Sequence, residues 1–178
     1  YPLGIHLLLY ASTELALRLS MRKRGFTRLS IGSVAYYFHP GRSSDEDFVG
    51  NEVDDEDEGL PIFFVHGIGI GLLPYLPLVD GLLESGRPLV LPEIPYVMGL
   101  RPWQSPNAVL PPAAVTTIIN TILAIHGFSK ATFVGHSYGT SWVSYMCKYA
   151  PTAVAAAVFL DPICFCLHVP RLNKQFVY

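Results

Sequence analysis

Cysteine is scarce in this chain, which has three among 178 residues. Cys147, Cys164 and Cys166 form neither a zinc-binding spacing nor an even-numbered disulfide framework. The sequence therefore argues against a domain held together by zinc or disulfides, and Cys147 is predicted to be a small core residue. Apolar residues make up 51% of the chain and aromatic residues 12%, enough for one globular domain with a sizeable core.

A net positive charge is also missing, since the chain carries −2 overall. Nine of the fourteen acids lie between Asp45 and Glu58, which leaves five acids against twelve bases elsewhere, an excess of +7. Because these bases are scattered and have no interleaved aromatics, we expect no nucleic-acid binding. Residues 40–59 are predicted to be a mobile acidic loop, since like charges at that density repel and stay solvated. The ligand spacing of a calcium loop is absent there, so we expect no metal.

The N-terminal segment lacks an apolar run long enough to cross a bilayer, because residues 1–13 are fewer than the ~20 that a spanning helix needs. Residues 1–28 are predicted to form a separate amphipathic helix with an apolar stripe followed by bases. The stripe comprises Leu3, Leu7, Leu8, Ala11, Leu15 and Leu19, and the bases are Arg18, Arg22, Lys23, Arg24 and Arg28. The helix either packs on the domain or contacts a membrane surface, as an interfacial helix or the end of an anchor.

The most informative feature present is a G-x-S-x-G motif. Its residues are Gly135, His136, Ser137, Tyr138 and Gly139. Residues 131–134 before it are predicted to be a buried strand, and residues 140–149 after it a helix. A strand that turns sharply into a helix is the context in which this motif forms a nucleophile elbow.

The elbow predicts a role for each residue of the motif. The tight turn requires glycine two residues to either side of the serine, and it exposes the Ser137 hydroxyl as a nucleophile. The amide of Tyr138 is predicted to face the developing oxyanion. His136 is not expected to act as the base, because its side chain leaves the elbow on the wrong side.

A second motif follows a predicted strand at residues 61–65. It reads His66, Gly67, Ile68, Gly69, Ile70 and Gly71. Acyl transfer needs two backbone N–H donors where negative charge appears, each contributing about 3 kcal/mol to the reduction of the barrier. The natural second donor is the amide of Ile68. His66 is predicted to brace the loop by hydrogen bonding rather than to act in catalysis.

The remaining pattern predicts an α/β fold with a mostly parallel sheet and helices on both faces, over residues 29–178. A strand at Leu29–His39 is expected at the antiparallel edge. The other strands are predicted at 61–65, 87–91, 131–134 and 154–160, and the helices at 76–84, 112–126 and 140–149. Ligands bind at the carboxyl ends of the strands in such sheets, where both motifs emerge.

Together the motifs resemble the α/β-hydrolase superfamily. The residues that carry the resemblance are Phe64-Val65-His66-Gly67, the G-x-S-x-G motif and Val158-Phe159-Leu160-Asp161-Pro162. The resemblance covers roughly residues 60–170, and residues 161–178 are similar to fungal members with a hydrophobic N-terminal segment. It implies a catalytic triad in the chain order serine, acid, histidine.

The chain departs from that order after the serine. Asp161 and His168 are the only acid and the only histidine that follow Ser137. Asp161 is a candidate acid, with capping of the backbone after Pro162 as the alternative, and His168 is expected to be a surface or lid residue. The chain begins at Tyr1, and we expect it to be a fragment whose catalytic histidine, and its acid unless Asp161 serves, lie beyond residue 178.

The rim of the predicted pocket favours an apolar acyl or alkyl group. It is formed by Gly69–Tyr75, Glu93–Trp103 and the chain from Cys164 onward, with Arg101 expected to be solvated. Its apolar members are Leu72, Leu73, Tyr75, Tyr96, Met98, Leu100, Trp103, Phe165 and Leu167. The alternative is that several of these side chains pack under a lid.

These features predict a serine hydrolase of ester, thioester or lipid-like acyl substrates that needs no cofactor. An acyltransferase or peptidase on the same fold is the second interpretation. The third is a non-catalytic, membrane-tethered scaffold that retains the elbow. A serine without a positioned base is a weak nucleophile, so residues 1–178 alone are expected to be nearly inactive.

Overall fold

The computed structural model describes residues 3–42, 59–98 and 109–165. Within these ranges the α-helices are α1 (Leu3–Lys23), α2 (Leu76–Glu84), α3 (Pro112–Ile125) and α4 (Gly139–Tyr149). The strands are β1 (Thr27–Ile31), β2 (Val34–His39), β3 (Ile62–Val65), β4 (Leu89–Glu93), β5 (Ala131–His136) and β6 (Val154–Leu160). Most of the predicted acidic loop lies outside the described residues. None of the described helices is long and apolar enough to span a bilayer.

The six strands form one sheet in the order β1-β2-β4-β3-β5-β6. Four neighbouring strands, β4, β3, β5 and β6, run parallel to one another. At one side of the sheet β2 pairs antiparallel with β4, and β1 pairs antiparallel with β2. Consecutive parallel strands are joined through helices, which matches the alternation in the sequence. The predicted α/β fold with a mostly parallel sheet is confirmed.

Helices cover both faces of the sheet, and each face has its own apolar cluster. Phe63 and Val65 of β3 point to the face covered by α3 and α4, where Trp142 is fully buried. Ile62 and Phe64 of the same strand point to the other face, which α1 and α2 cover. This alternation is the period of two that a strand imposes on its side chains.

The N-terminal region differs from the prediction in two ways. The helix ends at Lys23, and the strand predicted at Leu29–His39 is a hairpin of two antiparallel strands, β1 and β2. Gly32, with a φ of 57°, supplies the positive φ that the tight connection between them requires. The apolar pattern runs through the turn, so alternation alone did not show where one strand stops and the next begins.

The apolar stripe predicted for the N-terminal helix does not pack on the domain. The side chains of α1 that reach the core are those of Leu17 and Met21. Leu15 and Leu19 are exposed, because side chains two residues apart on a helix point in nearly opposite directions. The helix therefore does pack on the core, but through Leu17 and Met21 rather than through the predicted stripe.

The strand β6 is less buried than predicted. Its bounds match the predicted residues 154–160, but Val158 is 43% exposed and Leu160 is also exposed. The reason is topological, since β6 pairs only with β5 within the described residues and lies at the edge of the sheet. A run of apolar residues could not distinguish a central strand from an edge strand.

At position 139 the fold requires glycine, because there is no room for a side chain. A Cβ there would overlap the Val65 carbonyl oxygen, so α4 approaches the end of β3 more closely than a residue with a side chain would allow. We expect Gly139→Ala to lower the free energy of unfolding by about 3 kcal/mol, because backbone must move. Chemical denaturation of the folded chain measures this effect.

Gly81 of α2 provides the matched control. An added Cβ at Gly81 has no neighbour within 4 Å, so Gly81→Ala is expected to leave stability unchanged or raise it by about 0.5–1 kcal/mol. Equal effects of the two alanine substitutions would contradict the close approach of α4 to β3.

Candidate active site

Ser137 occupies the junction between β5 and α4 in a left-handed backbone conformation. Its φ is 50°, which costs a residue with a Cβ on the order of 1–3 kcal/mol unless the surroundings compensate. Three hydrogen bonds fix it: the Ser137 amide donates to the Leu160 carbonyl at 2.9 Å, and the Ser137 carbonyl accepts from the Thr140 amide at 3.0 Å and from the Thr140 hydroxyl at 2.5 Å. The side chain is half-buried. This is the geometry of a nucleophile elbow.

The glycine that precedes the serine by two residues has a packing reason. A Cβ on Gly135 would lie 2.8 Å from Cγ2 of Val143 and 2.9 Å from the carbonyl oxygen of Gly139. The first turn of α4 therefore folds back directly over the end of β5. Side chains at Gly135 and Gly139 would push the strand and the helix apart and open the turn that holds Ser137.

The glycine-rich loop after β3 lies against the elbow. A Cβ on Gly67 would lie 3.0 Å from the Ser137 Cβ, so a larger residue there would require the elbow to shift by a few tenths of an ångström. β3 and β5 are parallel neighbours with Val65 opposite Gly135, which brings both loops to the same edge of the sheet. In the part of the chain that the structure describes, no backbone carbonyl accepts a hydrogen bond from the amide of Ile68 or Tyr138.

His66 holds the glycine-rich loop to the segment after β4. The Ile94 amide donates to its Nε2 at 2.9 Å, so Nε2 carries no proton. Nδ1 then carries the proton and donates it to the Gly67 carbonyl at 2.7 Å. The ring is fully buried and neutral in this arrangement. Both ring nitrogens are engaged with the backbone, so His66 cannot accept a proton from Ser137.

Tyr75 connects the glycine-rich loop to the elbow, a role that the sequence did not predict. Its hydroxyl accepts a hydrogen bond from the Gly67 amide at 3.0 Å and lies 2.8 Å from Nδ1 of His136, with which it shares a second hydrogen bond. The ring packs against Phe64 with centroids 5.2 Å apart. The motif spacing carried no signal for this role, because Tyr75 meets His136 only through the fold.

Three aromatic side chains, those of Trp142, Tyr96 and Tyr138, pack together beside the elbow at the start of α4. Trp142 donates from Nε1 to the Tyr96 hydroxyl at 2.8 Å, and the Tyr96 and Tyr138 rings meet edge to face at 6.0 Å. Burial raises the pKa of both phenols, so each stays protonated and can donate a hydrogen bond. Tyr96, predicted to line the pocket rim, thereby also fixes the start of α4.

The pocket rim predicted from the sequence is described only in part. Met98 lies against the glycine-rich loop, since a Cβ on Gly71 would be 2.6 Å from the Met98 Cε. The Gly69 amide of the same loop donates to the Val97 carbonyl at 3.1 Å. Leu72 is instead fully buried in the core and does not line a rim. Leu100, Arg101, Trp103 and Leu167 lie outside the described residues.

Asp161 follows β6 immediately and has a φ of 47°. It is exposed, and the preceding residue is Leu160, whose carbonyl accepts the Ser137 amide. The structure thus places the candidate acid at the same edge of the sheet as the candidate nucleophile. His168 lies outside the described residues, and no described side chain forms a hydrogen bond with the Ser137 hydroxyl.

Comparison with known proteins agrees with this geometry. A family model of the alpha/beta hydrolase fold matches residues 61–177, whereas no curated protein matches the chain. Similar solved structures include a protein assigned as an epoxide hydrolase from Pseudomonas aeruginosa, at 20% identity and a TM-score of 0.57, with 86% of this chain and 45% of that chain covered.

Two further structures are similar over less of the chain. Epoxide hydrolase A from Mycobacterium thermoresistibile is 18% identical with a TM-score of 0.51, covering 75% of this chain and 38% of that one. A mutant epoxide hydrolase from Vigna radiata is 14% identical with a TM-score of 0.51, covering 75% and 37%. The chain therefore spans less than half the length of each of these structures, and at such identities the likeness concerns the fold.

The family model covers most of the chain, and its match includes the strand, the elbow and the glycine-rich loop described above. The resemblance noted in the sequence is confirmed, and the chain belongs to the α/β-hydrolase fold family.

Proposed function

We propose that this chain carries the nucleophile and the oxyanion donors of a serine hydrolase that acts on ester, thioester or lipid-like acyl substrates. The observation that carries the proposal is the position of Ser137, half-buried in a left-handed turn and in contact with the Gly67 loop. In this proposal the backbone amides of Ile68 and Tyr138, neither of which donates to a backbone carbonyl among the described residues, bind the developing negative charge.

The reaction follows from these groups. The Ser137 oxygen attacks the substrate carbonyl carbon, its proton passes to a base, and the carbonyl electrons move onto the oxygen that the two amides stabilise. As this intermediate collapses, the base returns the proton to the leaving oxygen or sulfur, which departs as the alcohol or thiol and leaves an acyl-serine. Water then attacks the acyl carbon, releasing the carboxylic acid and restoring the serine hydroxyl. We propose that the base is a histidine outside the described residues and that Asp161 is a candidate for the acid that orients it.

Acyl substrates fit the nucleophile better than epoxides do. A serine that opened an epoxide would form an alkyl ether, and an ether has no carbonyl at which water could release the product. The likeness to epoxide hydrolases in fold therefore does not extend to their substrate at Ser137. Ile68 and Ile70 on the loop and Phe165 after β6 are exposed apolar side chains, which supports an apolar acyl group.

The same geometry serves transfer to another acceptor as well as hydrolysis. An acyltransferase or a peptidase would use the same serine and amides, and a scaffold would retain them without turnover. Product analysis with competing alcohols and amines separates hydrolysis from transfer. Reaction of Ser137 with an active-site probe separates all of these enzymes from the scaffold.

The first prediction concerns the nucleophile. In the protein as its gene encodes it, a fluorophosphonate probe is expected to label Ser137, and Ser137→Ala should abolish labelling while leaving the thermal unfolding midpoint nearly unchanged. Ser33→Ala is the control, because Ser33 is an exposed serine of the β1–β2 hairpin. Undiminished labelling of Ser137→Ala would refute the proposal.

The second prediction concerns Tyr75 as a positioning residue. Tyr75→Phe keeps the ring that packs on Phe64 but releases the Gly67 amide and His136. Because the loop carrying the Ile68 amide loses its tie to the elbow, kcat is expected to fall on the order of 10–100-fold with little change in KM. Steady-state kinetics on an activated ester measures both constants.

Tyr36→Phe is the matched control for Tyr75→Phe. It removes a hydroxyl that also contacts a histidine, 3.2 Å from Nε2 of His126, but at a distance from the elbow in the fold. We expect it to lower stability by about 1 kcal/mol without a selective loss of kcat. If both variants lose activity only in proportion to their stability, Tyr75 does not position the oxyanion loop.

A further inference from the structure

The helix α1 has one face fixed to the domain. Leu17 and Met21 are buried in the cluster that α2 also joins. Arg24 reaches the Asp80 carboxylate on α2 with two hydrogen bonds of 2.6 and 2.9 Å. Glu14, on the same side, accepts a hydrogen bond from Arg18 at 2.8 Å. The second half of α1 is therefore held in one orientation relative to the sheet.

The opposite face of α1 is apolar and uncovered by the described residues. Leu8, Leu15 and Leu19 are 70%, 58% and 52% exposed. Their spacings of seven and four residues place them on one side of a helix, and Leu19 lies between the buried Leu17 and Met21 in the sequence and points away from them. Exposed leucines in a row on one helix face mark a contact site rather than ordinary surface.

The N-terminal turns are apolar on more than one side. Leu7, Leu8 and Leu9 are all exposed. Because successive residues of a helix are rotated by about 100°, these three leucines point to three different sides of the helix. A helix that docks into a protein groove buries one face and keeps the others polar. Exposed leucines on three sides of these turns fit a fluid apolar layer, into which the start of the helix can sink, better than a rigid groove.

Two cations extend the outward face. Arg22 follows Leu19 by three residues and Lys23 by four, so both lie near the same side of α1. Both are exposed, and neither has a carboxylate partner among the ion pairs of the described residues. The only acidic residue of α1 is Glu14, which is buried and already bonded to Arg18, so a second copy of α1 offers these cations no counter-charge.

We propose that the outward face of α1 binds the surface of a membrane that contains anionic lipid. The helix lies along the surface with Leu8, Leu15 and Leu19 in the interfacial layer, while Arg22 and Lys23 contact the charged headgroups. The domain sits on the other side of the helix, held by Leu17 and Met21. This proposal does not depend on the function proposed for Ser137, because it concerns binding without turnover.

Flotation with lipid vesicles tests the proposal. The chain of residues 1–178 is expected to float with vesicles of phosphatidylcholine mixed with phosphatidylserine and to bind pure phosphatidylcholine much more weakly. Arg22→Ser with Lys23→Ser should reduce binding to the mixed vesicles by about fivefold for each cation removed. Leu8→Ser, Leu15→Ser and Leu19→Ser combined should lose on the order of tenfold per leucine.

Ile125→Ser is the matched control, because Ile125 is a 60% exposed apolar residue at the end of α3. It should bind vesicles as the unsubstituted chain does, and Ser137→Ala should do the same. Circular dichroism and the thermal midpoint check that the leucine variant remains folded, as expected for exposed positions. Two results would overturn the proposal: undiminished vesicle binding by the leucine variant, or a lipid-free dimer that the leucine substitutions convert to monomer.

Discussion

The site depends on one backbone constraint, the left-handed conformation of Ser137 between β5 and α4. A serine adopts this conformation only where its neighbours compensate for the strain. Here the carbonyl of Leu160 and the amide of Thr140 hold its backbone, and the missing side chains of Gly135 and Gly139 let the helix fold back over the strand. The same turn that strains the backbone presents the hydroxyl at the edge of the sheet.

The second half of the site is a loop that its neighbours hold in place. His66 ties the loop to the segment after β4, and Tyr75 ties it to His136 in the elbow. Preorganised amides stabilise an oxyanion more strongly than mobile ones, because no reorganisation is needed during the reaction. Three side chains outside the expected triad, His66, Tyr75 and His136, therefore hold together the loop and the elbow that carry the two proposed oxyanion donors.

The fold and the chemistry rest on different observations. Family membership follows from the match over residues 61–177 and from the parallel sheet. The proposed acyl chemistry follows from the serine, whose attack on a carbonyl gives an intermediate that water can hydrolyse. The proposed membrane contact follows from α1, whose core-facing and outward-facing sides are both apolar. A helix with two apolar sides can pack on its own domain and bind a second apolar phase at the same time.

Local periodicity and glycines at fixed spacings were enough to predict the alternation of strands and helices, the elbow and the glycine-rich loop, and the predicted bounds of α2 match the structure to the residue. Packing between distant elements was needed to show which side of α1 is buried, that Leu29–His39 turns back as a hairpin, that β6 lies at the edge and that Leu72 is in the core. It also decided the role of Tyr75. Each of these depends on which elements become neighbours, and local periodicity carries no information about partners distant in the chain.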